Sequence, residues 1–283
     1  MKIEILYQDQ DIVVINKPAG LIVNEADTVV GDTIQSWFKT NFLAKTDLTN
    51  DQHWRSLVPA DFDATFGQPE DVFELRQGLV HRLDKQTSGV LLLALNPGAL
   101  VNLLYQFKQH LTEKKYLCLA HGKFTVAKDR IILPMGRSKQ NPTKFAIRQD
   151  GRLAITDYQV KSFYPSLNLE KMSLLFNQDE EMSLADFKKK SKNYQGFSLL
   201  ECWPKTGRTH QIRVHLSAIQ HPLVGDRTYV GKKRSKLDPM WCPRHFLHAE
   251  QLKFTHPRTQ APMDISAHLS PDLTKVLTYL QEE

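Results

Sequence analysis

Runs of apolar residues predict short strands near the start of the chain. Residues 5–7 and 12–15 are apolar and flank the polar stretch 8–11, and the second run stops at the turn-forming residues 16–20. This pattern is typical of two paired strands followed by a tight turn. The unbroken apolar run at 90–95 predicts a third strand, which is buried on both faces.

Helical spacing of apolar residues occurs in several segments. Residues 28–40 can form one helix, and an Asn-Pro pair that suits a helix start precedes a second helix, which extends to about His110. Apolar residues recur with helical period again over 209–220 and 271–280. We therefore expect helices in these four places.

Later segments add further strands. Period-two alternation over 116–120 predicts a strand whose even-numbered residues share one face. Strand-like runs also occupy 155–163, 197–203 and 246–254. Periodicity alone thus predicts a protein of mixed α and β structure.

Length and composition fit a globular protein, and the length allows one large domain or two small ones; we expect a single domain over residues 1–283. Hydrophobic residues make up 41% and charged residues 24%, which are ordinary values for such a domain. Polar, aromatic and proline residues alternate without a period near 41–77 and 166–195, so we expect irregular surface insertions there. No secretory leader or membrane helix is visible, and the odd number of cysteines makes a poor disulfide framework, so we expect a cytoplasmic protein.

The charge balance favours an anionic partner. The formal net charge is +6, and clustered lysine and arginine raise the local concentration of phosphate groups. Basic runs lie at 188–192 and 232–236. Such runs are more often solvated loops than binding sites, and that interpretation is the default for both of them.

The most informative position is Asp84. This carboxylate lies beside Arg82 and directly before the predicted buried strand, where few structural reasons require an acid. A catalytic role and a structural role, in which Asp84 caps backbone amides or pairs with Arg82, are equally compatible with the spacing alone.

Residues 81–89, His-Arg-Leu-Asp-Lys-Gln-Thr-Ser-Gly, resemble the H-R-L-D-x-x-T-S-G signature of RluA-type pseudouridine synthases, which isomerise uridine in RNA. Because further blocks match and together span most of the chain, the resemblance is specific. The blocks match the family in the same order at 16–20, 115–116, 205–216, 221–226 and 247–250.

The resemblance implies an α+β pseudouridine synthase fold, in which a mixed, largely antiparallel central sheet with flanking helices forms a catalytic cleft. It makes Asp84 the essential carboxylate that initiates cleavage of the bond between uracil and ribose, either by attacking the sugar or by removing a ribose proton. Tyr116 would lie against the base and help remove the proton from carbon 5, while Arg213 would pair with Asp84 and favour its ionised form. Without the resemblance, Tyr116 would be a core aromatic and Arg213 a solvent-facing helix residue.

The resemblance also implies the RNA contacts. Arg82 matches the residue that enters the stack vacated by the flipped uridine, where a planar guanidinium recovers part of the cost of flipping. A plain salt bridge is the alternative role for Arg82. The other motif side chains assigned to RNA are His81, Thr87, Arg208, His210 and Gln211. The implied substrate is transfer or ribosomal RNA, the expected oligomeric state is a monomer, and no separate N-terminal RNA-binding domain is expected.

No cofactor and no metal are expected. The base is detached, turned and rejoined without redox chemistry, and neither a phosphate-binding loop nor a dinucleotide fingerprint occurs. Cys242, His245 and His248, with His210 and His215 nearby, are the strongest metal candidates, but no C-x-x-C or H-E-x-x-H element accompanies them. The alternative from another class is a non-catalytic RNA-binding or chaperone protein that uses the same basic cleft.

Overall fold

The computed structural model describes residues 2–25, 31–45, 53–176 and 182–282. The chain divides into two compact units. The first unit comprises Met1–Lys114 and Ala249–His268, and the second unit comprises Lys115–His248 and Leu269–Glu283. Among the helices of the described ranges, none is both long and apolar enough to cross a membrane.

Strands and helices are interspersed along the chain. The strands are β1 (Glu4–Gln8), β2 (Ile12–Lys17), β3 (Ser88–Ala94), β4 (Glu113–His121), β5 (Lys128–Arg137), β6 (Phe145–Ile147), β7 (Arg152–Tyr164), β8 (Ser166–Leu167), β9 (Phe197–Pro204), β10 (Leu247–Thr255), β11 (Pro262–Ser266) and β12 (Leu280–Gln281). The α-helices are α1 (Ile34–Asn41), α2 (Pro69–Arg76), α3 (Pro97–Lys108), α4 (Leu169–Phe176), α5 (Leu184–Ser191), α6 (Gln211–Ala218), α7 (Arg234–Leu237) and α8 (Pro271–Thr278). Short 3₁₀ helices lie at Leu43–Lys45, His53–Leu57, Ala64–Phe66 and Asp238–Met240.

In the first unit, β2 pairs antiparallel with both β1 and β3, and β10 pairs antiparallel with β11. Every residue of β3 is buried, as its continuous apolar run predicts. Asn96 caps α3 by accepting a hydrogen bond from the Ala99 amide at 2.8 Å, and Pro97 occupies the first turn. The helix then packs Leu100 and Leu103 into the same core cluster as β2 and β3.

A glycine lies at the start of β3 because the backbone of β10 passes through the space of a side chain. Gly89 has φ of +114°, and a Cβ there would lie 2.2 Å from the carbonyl oxygen of Ala249. Only glycine combines that φ with so close an approach. The terminal glycine of the 81–89 motif is therefore a packing requirement.

In the second unit, five strands follow the order β4-β9-β7-β5-β6, and each neighbouring pair is antiparallel. Cys118 and Ala120 belong to one core cluster, against which Tyr116 also packs, whereas Leu119 belongs to another. The alternation predicted for 116–120 and the largely antiparallel sheet are thus confirmed.

Three local predictions need correction. The helix predicted over 28–40 begins only at Ile34, because Thr33 forms a capping box with Ser36; residues 28–30 lie outside the described ranges. Irregular structure was the wrong prediction for much of 41–77, where α2 and three 3₁₀ helices form. Helices form there without a periodic sequence pattern because a few of their side chains pack into the core.

The segment 166–195 also differs from the prediction. It contains α4 and α5, and residues 177–181 between them lie outside the described ranges. Met172, Phe176 and Phe187 are buried in one core cluster. Helices of only eight residues have weak sequence signals, and burial of these side chains in the core stabilises them.

We predict that Gly89→Ala destabilises the protein by about 3 kcal/mol or more, because a strained φ and a backbone clash combine. Gly207→Ala is the matched control, since a Cβ at Gly207 meets no atom within 4 Å. Urea denaturation of both variants measures the difference. Equal stability of the two variants would contradict the close approach of β10.

Candidate active site

The loop that carries Asp84 is held by a buried ammonium group. Lys17, at the end of β2, is fully buried. Its Nζ donates hydrogen bonds to the carbonyl oxygens of Pro18 at 2.8 Å, Leu21 at 2.9 Å and Lys85 at 3.2 Å. The lysine therefore ties the turn at 16–20 to the residue that follows Asp84.

The backbone around Asp84 forms a closed turn. The Thr87 amide donates to the Asp84 carbonyl at 3.0 Å, and the Gly20 amide donates to the Lys85 carbonyl at 2.8 Å. Leu83 points into the protein and is buried, whereas Asp84 is half-buried and Arg82 is exposed. The loop thus holds a half-buried acid and an exposed guanidinium on an anchored backbone.

His81 is engaged inside the first unit. Its Nε2 accepts a hydrogen bond from the Leu92 amide at 3.1 Å, and its ring stacks on Phe107 at a centroid distance of 4.9 Å. Burial, assisted by the charge of Lys114, lowers the pKa of His81 to about 3. The imidazole is therefore neutral at physiological pH and supports β3 at Leu92.

In the second unit, Gln211 connects the block 205–216 to β7. Its Nε2 donates to the Ile155 carbonyl at 2.9 Å and to Thr156 Oγ1 at 3.0 Å. Its Oε1 accepts from the Thr206 hydroxyl at 2.7 Å and from the Arg208 amide at 3.0 Å. All four hydrogen-bonding positions of this buried amide are used within the protein.

Arg213 on α6 forms a buried bidentate ion pair with Asp226. Nε and Nη2 donate to the two carboxylate oxygens at 2.7 Å and 3.0 Å. Burial alone would raise the pKa of Asp226, but the hydrogen bonds and charge of Arg213 outweigh it and hold that pKa below its ordinary value. The guanidinium also lies over the Tyr229 ring at 5.0 Å, and the Tyr229 hydroxyl is 2.8 Å from His210 Nδ1.

Tyr116 and Arg208 are both partly accessible. Tyr116 lies on β4 opposite Cys202 of β9 and is half-buried. Arg208 is also half-buried, and its Nε lies 3.4 Å from the Leu153 carbonyl. Burial of Arg213 excludes the solvent-facing position that helical spacing alone predicted.

The predicted site residues thus fall into two groups. Asp84, His81, Arg82 and Thr87 belong to the first unit, where the loop at 81–87 brings them together. The second unit contains the remaining predicted residues, namely Tyr116, Arg208, His210, Gln211 and Arg213. The convergence of the two groups on one uridine stays a prediction.

Two residues of the site were missed by sequence reasoning, although both lie in the matched blocks. Lys17 acts on backbone carbonyls, and Asp226 acts on Arg213. Their positions in blocks 16–20 and 221–226 were the available signal. Spacing could not reveal their partners.

One group of possible metal ligands occurs within the described residues, formed by Asp9, Asp11 and His256. Arg258 donates to both oxygens of Asp11 at 2.6 Å and 2.8 Å, and Asn96 also donates to Asp11. His256 lies 2.6 Å from Asp9. A guanidinium therefore supplies the positive charge at this cluster, which fits a structural role.

Comparisons with known proteins identify the family of the chain. A family model described as RNA pseudouridylate synthase matches residues 11–218. The tRNA pseudouridine synthase C of Haemophilus ducreyi is 33% identical over 273 residues, which cover 95% of this chain and 92% of that protein. The ribosomal large subunit pseudouridine synthase D of Nitrosomonas europaea is 33% identical over 282 residues, covering 97% of this chain and 64% of that protein.

A solved structure shares the fold. Human RNA Pseudouridylate Synthase Domain Containing 1 aligns with a TM-score of 0.62 and 23% identity, over 96% of this chain and 86% of that chain. The predicted fold, a mixed and mostly antiparallel sheet with helices, is confirmed.

We predict that His81 makes stability depend on acid pH. Because the folded-state pKa is lowered to about 3, the unfolded chain binds the proton first as pH falls below the ordinary histidine value. The stabilisation by neutral His81 is complete above that value and is lost progressively on acidification. His81→Phe keeps the ring stack but removes the acceptor for Leu92 and should cost about 1–3 kcal/mol at pH 7.5.

Urea denaturation of wild type and His81→Phe at pH 7.5 and pH 5.5 tests this. The stability gap between the two proteins should shrink at the lower pH. A gap of the same size at both pH values would show that His81 titrates normally in the folded chain.

Proposed function

We propose that the chain, which belongs to the RNA pseudouridylate synthase family and is an isomerase, converts specific uridines of transfer or ribosomal RNA to pseudouridine. We assign Asp84 as the essential carboxylate of this reaction. The observation that carries the assignment of Asp84 is its position in the 81–89 motif, half-buried on a loop that Lys17 anchors.

The reaction is an isomerisation, so uridine and pseudouridine have the same atoms and the same oxidation state. The bond between ribose carbon 1′ and uracil nitrogen 1 breaks, the base turns, and carbon 5 bonds to carbon 1′. Carbon 5 loses a proton and nitrogen 1 gains one, so no redox partner is required. Asp84 initiates the cleavage, as a nucleophile towards the sugar or as a base towards a ribose proton.

Arg213 favours the ionised carboxylate in this proposal. A guanidinium has five N–H donors in a planar fork, and Asp226 uses two of them. We assign Asp84 as a second carboxylate partner of this guanidinium, as the family resemblance implies. An adjacent positive charge stabilises the anion that either form of the mechanism requires.

Tyr116 is assigned to the base. A half-buried phenol on a rigid strand can lie against a flipped uracil ring and assist proton removal from carbon 5. Arg82, which is exposed, is assigned to the stack that the uridine vacates, with Arg208 on the RNA backbone. The internal hydrogen bonds of His81 and Gln211 support a role in holding the RNA-facing loops.

The names of two relatives support the substrate class that we propose. One acts on transfer RNA by its name and one on the ribosomal large subunit. We therefore assign the target to one of these two RNA classes. Comparison of pseudouridine positions in total RNA with and without this protein identifies the class and the uridine.

We predict that Asp84→Ala abolishes pseudouridine formation, lowering the rate by about 10²-fold or more, while RNA affinity stays within about twofold of wild type. Tritium release from RNA labelled at uridine carbon 5 measures the chemistry, and filter binding measures affinity. Asp61→Ala, at an exposed acid of the same unit, is the matched control and should retain activity.

Two results would count against the proposal. The first is a wild-type protein that binds RNA but releases no tritium from any transfer or ribosomal RNA. The second is an Asp84→Ala protein that releases tritium as fast as Asp61→Ala.

A further inference from the structure

The two basic runs of the sequence meet at one cavity of the second unit. Its volume is about 310 Å³. One wall comes from the end of α5 and the loop after it, and the other from the segment that begins α7. The polar lining residues are Lys190, Asn193, Tyr194, Lys232, Lys233 and Arg234. Separate solvated loops were the default interpretation of these runs, and the shared cavity argues against it.

Both walls are anchored to the interior of the unit. Phe187 of α5 and Leu237 of α7 are buried in the same core cluster. The Tyr194 hydroxyl donates to Asp238 Oδ1 at 2.6 Å, and Asp238 Oδ2 accepts from the Gly225 amide at 3.0 Å. The cations therefore project from short, fixed elements, which reduces the entropy lost when they bind a ligand.

The lining has uncompensated positive charge. Four of its polar residues are cationic, none is acidic, and none of the four forms an ion pair among the described residues. The nearby Asp238 is fully buried, and His121 also lies 2.8 Å from its Oδ2. Its carboxylate is thus directed into the protein, and it does not neutralise the cavity.

Exposed lysines extend the charge around the cavity. Lys188, Lys189 and Lys192 flank one wall, and Lys236 flanks the other. Several cations around a recess, rather than one isolated charge, suit a ligand that carries several phosphates, as a nucleic acid backbone does.

From these observations we propose that this cavity, the basic pocket, binds phosphates of the substrate RNA at a position outside the 81–89 motif and the 205–216 block. The inference rests on the proposed function for the identity of the anion. Asn193 adds an amide for sugar or phosphate oxygens, and Tyr194 adds an aromatic wall. A recess suits the backbone of a folded RNA better than it suits a flat lipid surface.

The test is the variant K190Q/K232Q/K233Q, which removes three charges from the pocket without changing side-chain length greatly. The matched control is K39Q/K128Q/K275Q, which removes three charges from exposed positions on other elements. Fluorescence anisotropy with unfractionated transfer RNA and with ribosomal RNA measures Kd over a series of salt concentrations.

The pocket variant should bind RNA about tenfold more weakly at physiological salt. Its dependence of log Kd on log salt should be shallower by about 2, since each lost phosphate contact removes about 0.7 for single-stranded RNA. The control variant should show less than half of either effect. Urea denaturation should give wild-type stability for both variants, because exposed surface substitutions change stability little.

Equal loss of affinity in the two variants, or an unchanged salt dependence in the pocket variant, would overturn the proposal. So would loss of binding to phosphatidylglycerol vesicles with RNA affinity intact, which would assign the pocket to a membrane surface. The binding measurement needs no chemistry and can be repeated with Asp84→Ala. A wild-type protein without synthase activity would therefore refute the proposed function, while the two triple variants still test the pocket.

Discussion

A lysine ammonium can be fully buried only where oxygen atoms replace its hydration shell. Lys17 meets this condition through backbone carbonyls, one of which belongs to Lys85. The turn at 16–20 and the loop that carries Asp84 therefore depend on each other. If either backbone moves, the buried ammonium loses one or more of these oxygens, so electrostatics as well as packing restrains the loop that carries Asp84.

The same principle operates in the second unit with side chains as partners. Asp226 keeps Arg213 in one orientation through two parallel hydrogen bonds. Gln211 joins α6 to β7 through its amide nitrogen and to the preceding loop through its amide oxygen. Several motif residues thus serve mainly to hold other motif residues. Among the residues of the 81–89 motif, Arg82 is exposed and Asp84 is half-buried.

Periodicity predicted the elements whose apolar residues follow a regular pattern along the whole segment. The strand β3 is apolar and buried without interruption, and the helix α3 carries apolar residues at helical spacing. Helices α2 and α5 were missed, since each inserts only one or two side chains such as Phe73 or Phe187 into a core. Such elements depend on distant partners that local spacing does not report.

Only part of the candidate site could be predicted from the sequence. Motif resemblance supplied the identities of Asp84, Tyr116 and Arg213, whereas Lys17 and Asp226 required coordinates because their roles lie in contacts with residues remote in sequence. The basic runs show the opposite case. Their composition was evident, but only the packing of α5 and α7 brings them to one cavity.

The approach of Gly89 to Ala249 has a consequence for biosynthesis. The core of the first unit includes Leu252 and Phe254, which are contributed by β10. A nascent chain that has emerged from the ribosome only as far as the second unit therefore lacks part of the first unit's interior. The loop with Asp84 is synthesised early, but the core beneath it is complete only after translation has passed β10. Asp84 should therefore reach its final position late in synthesis.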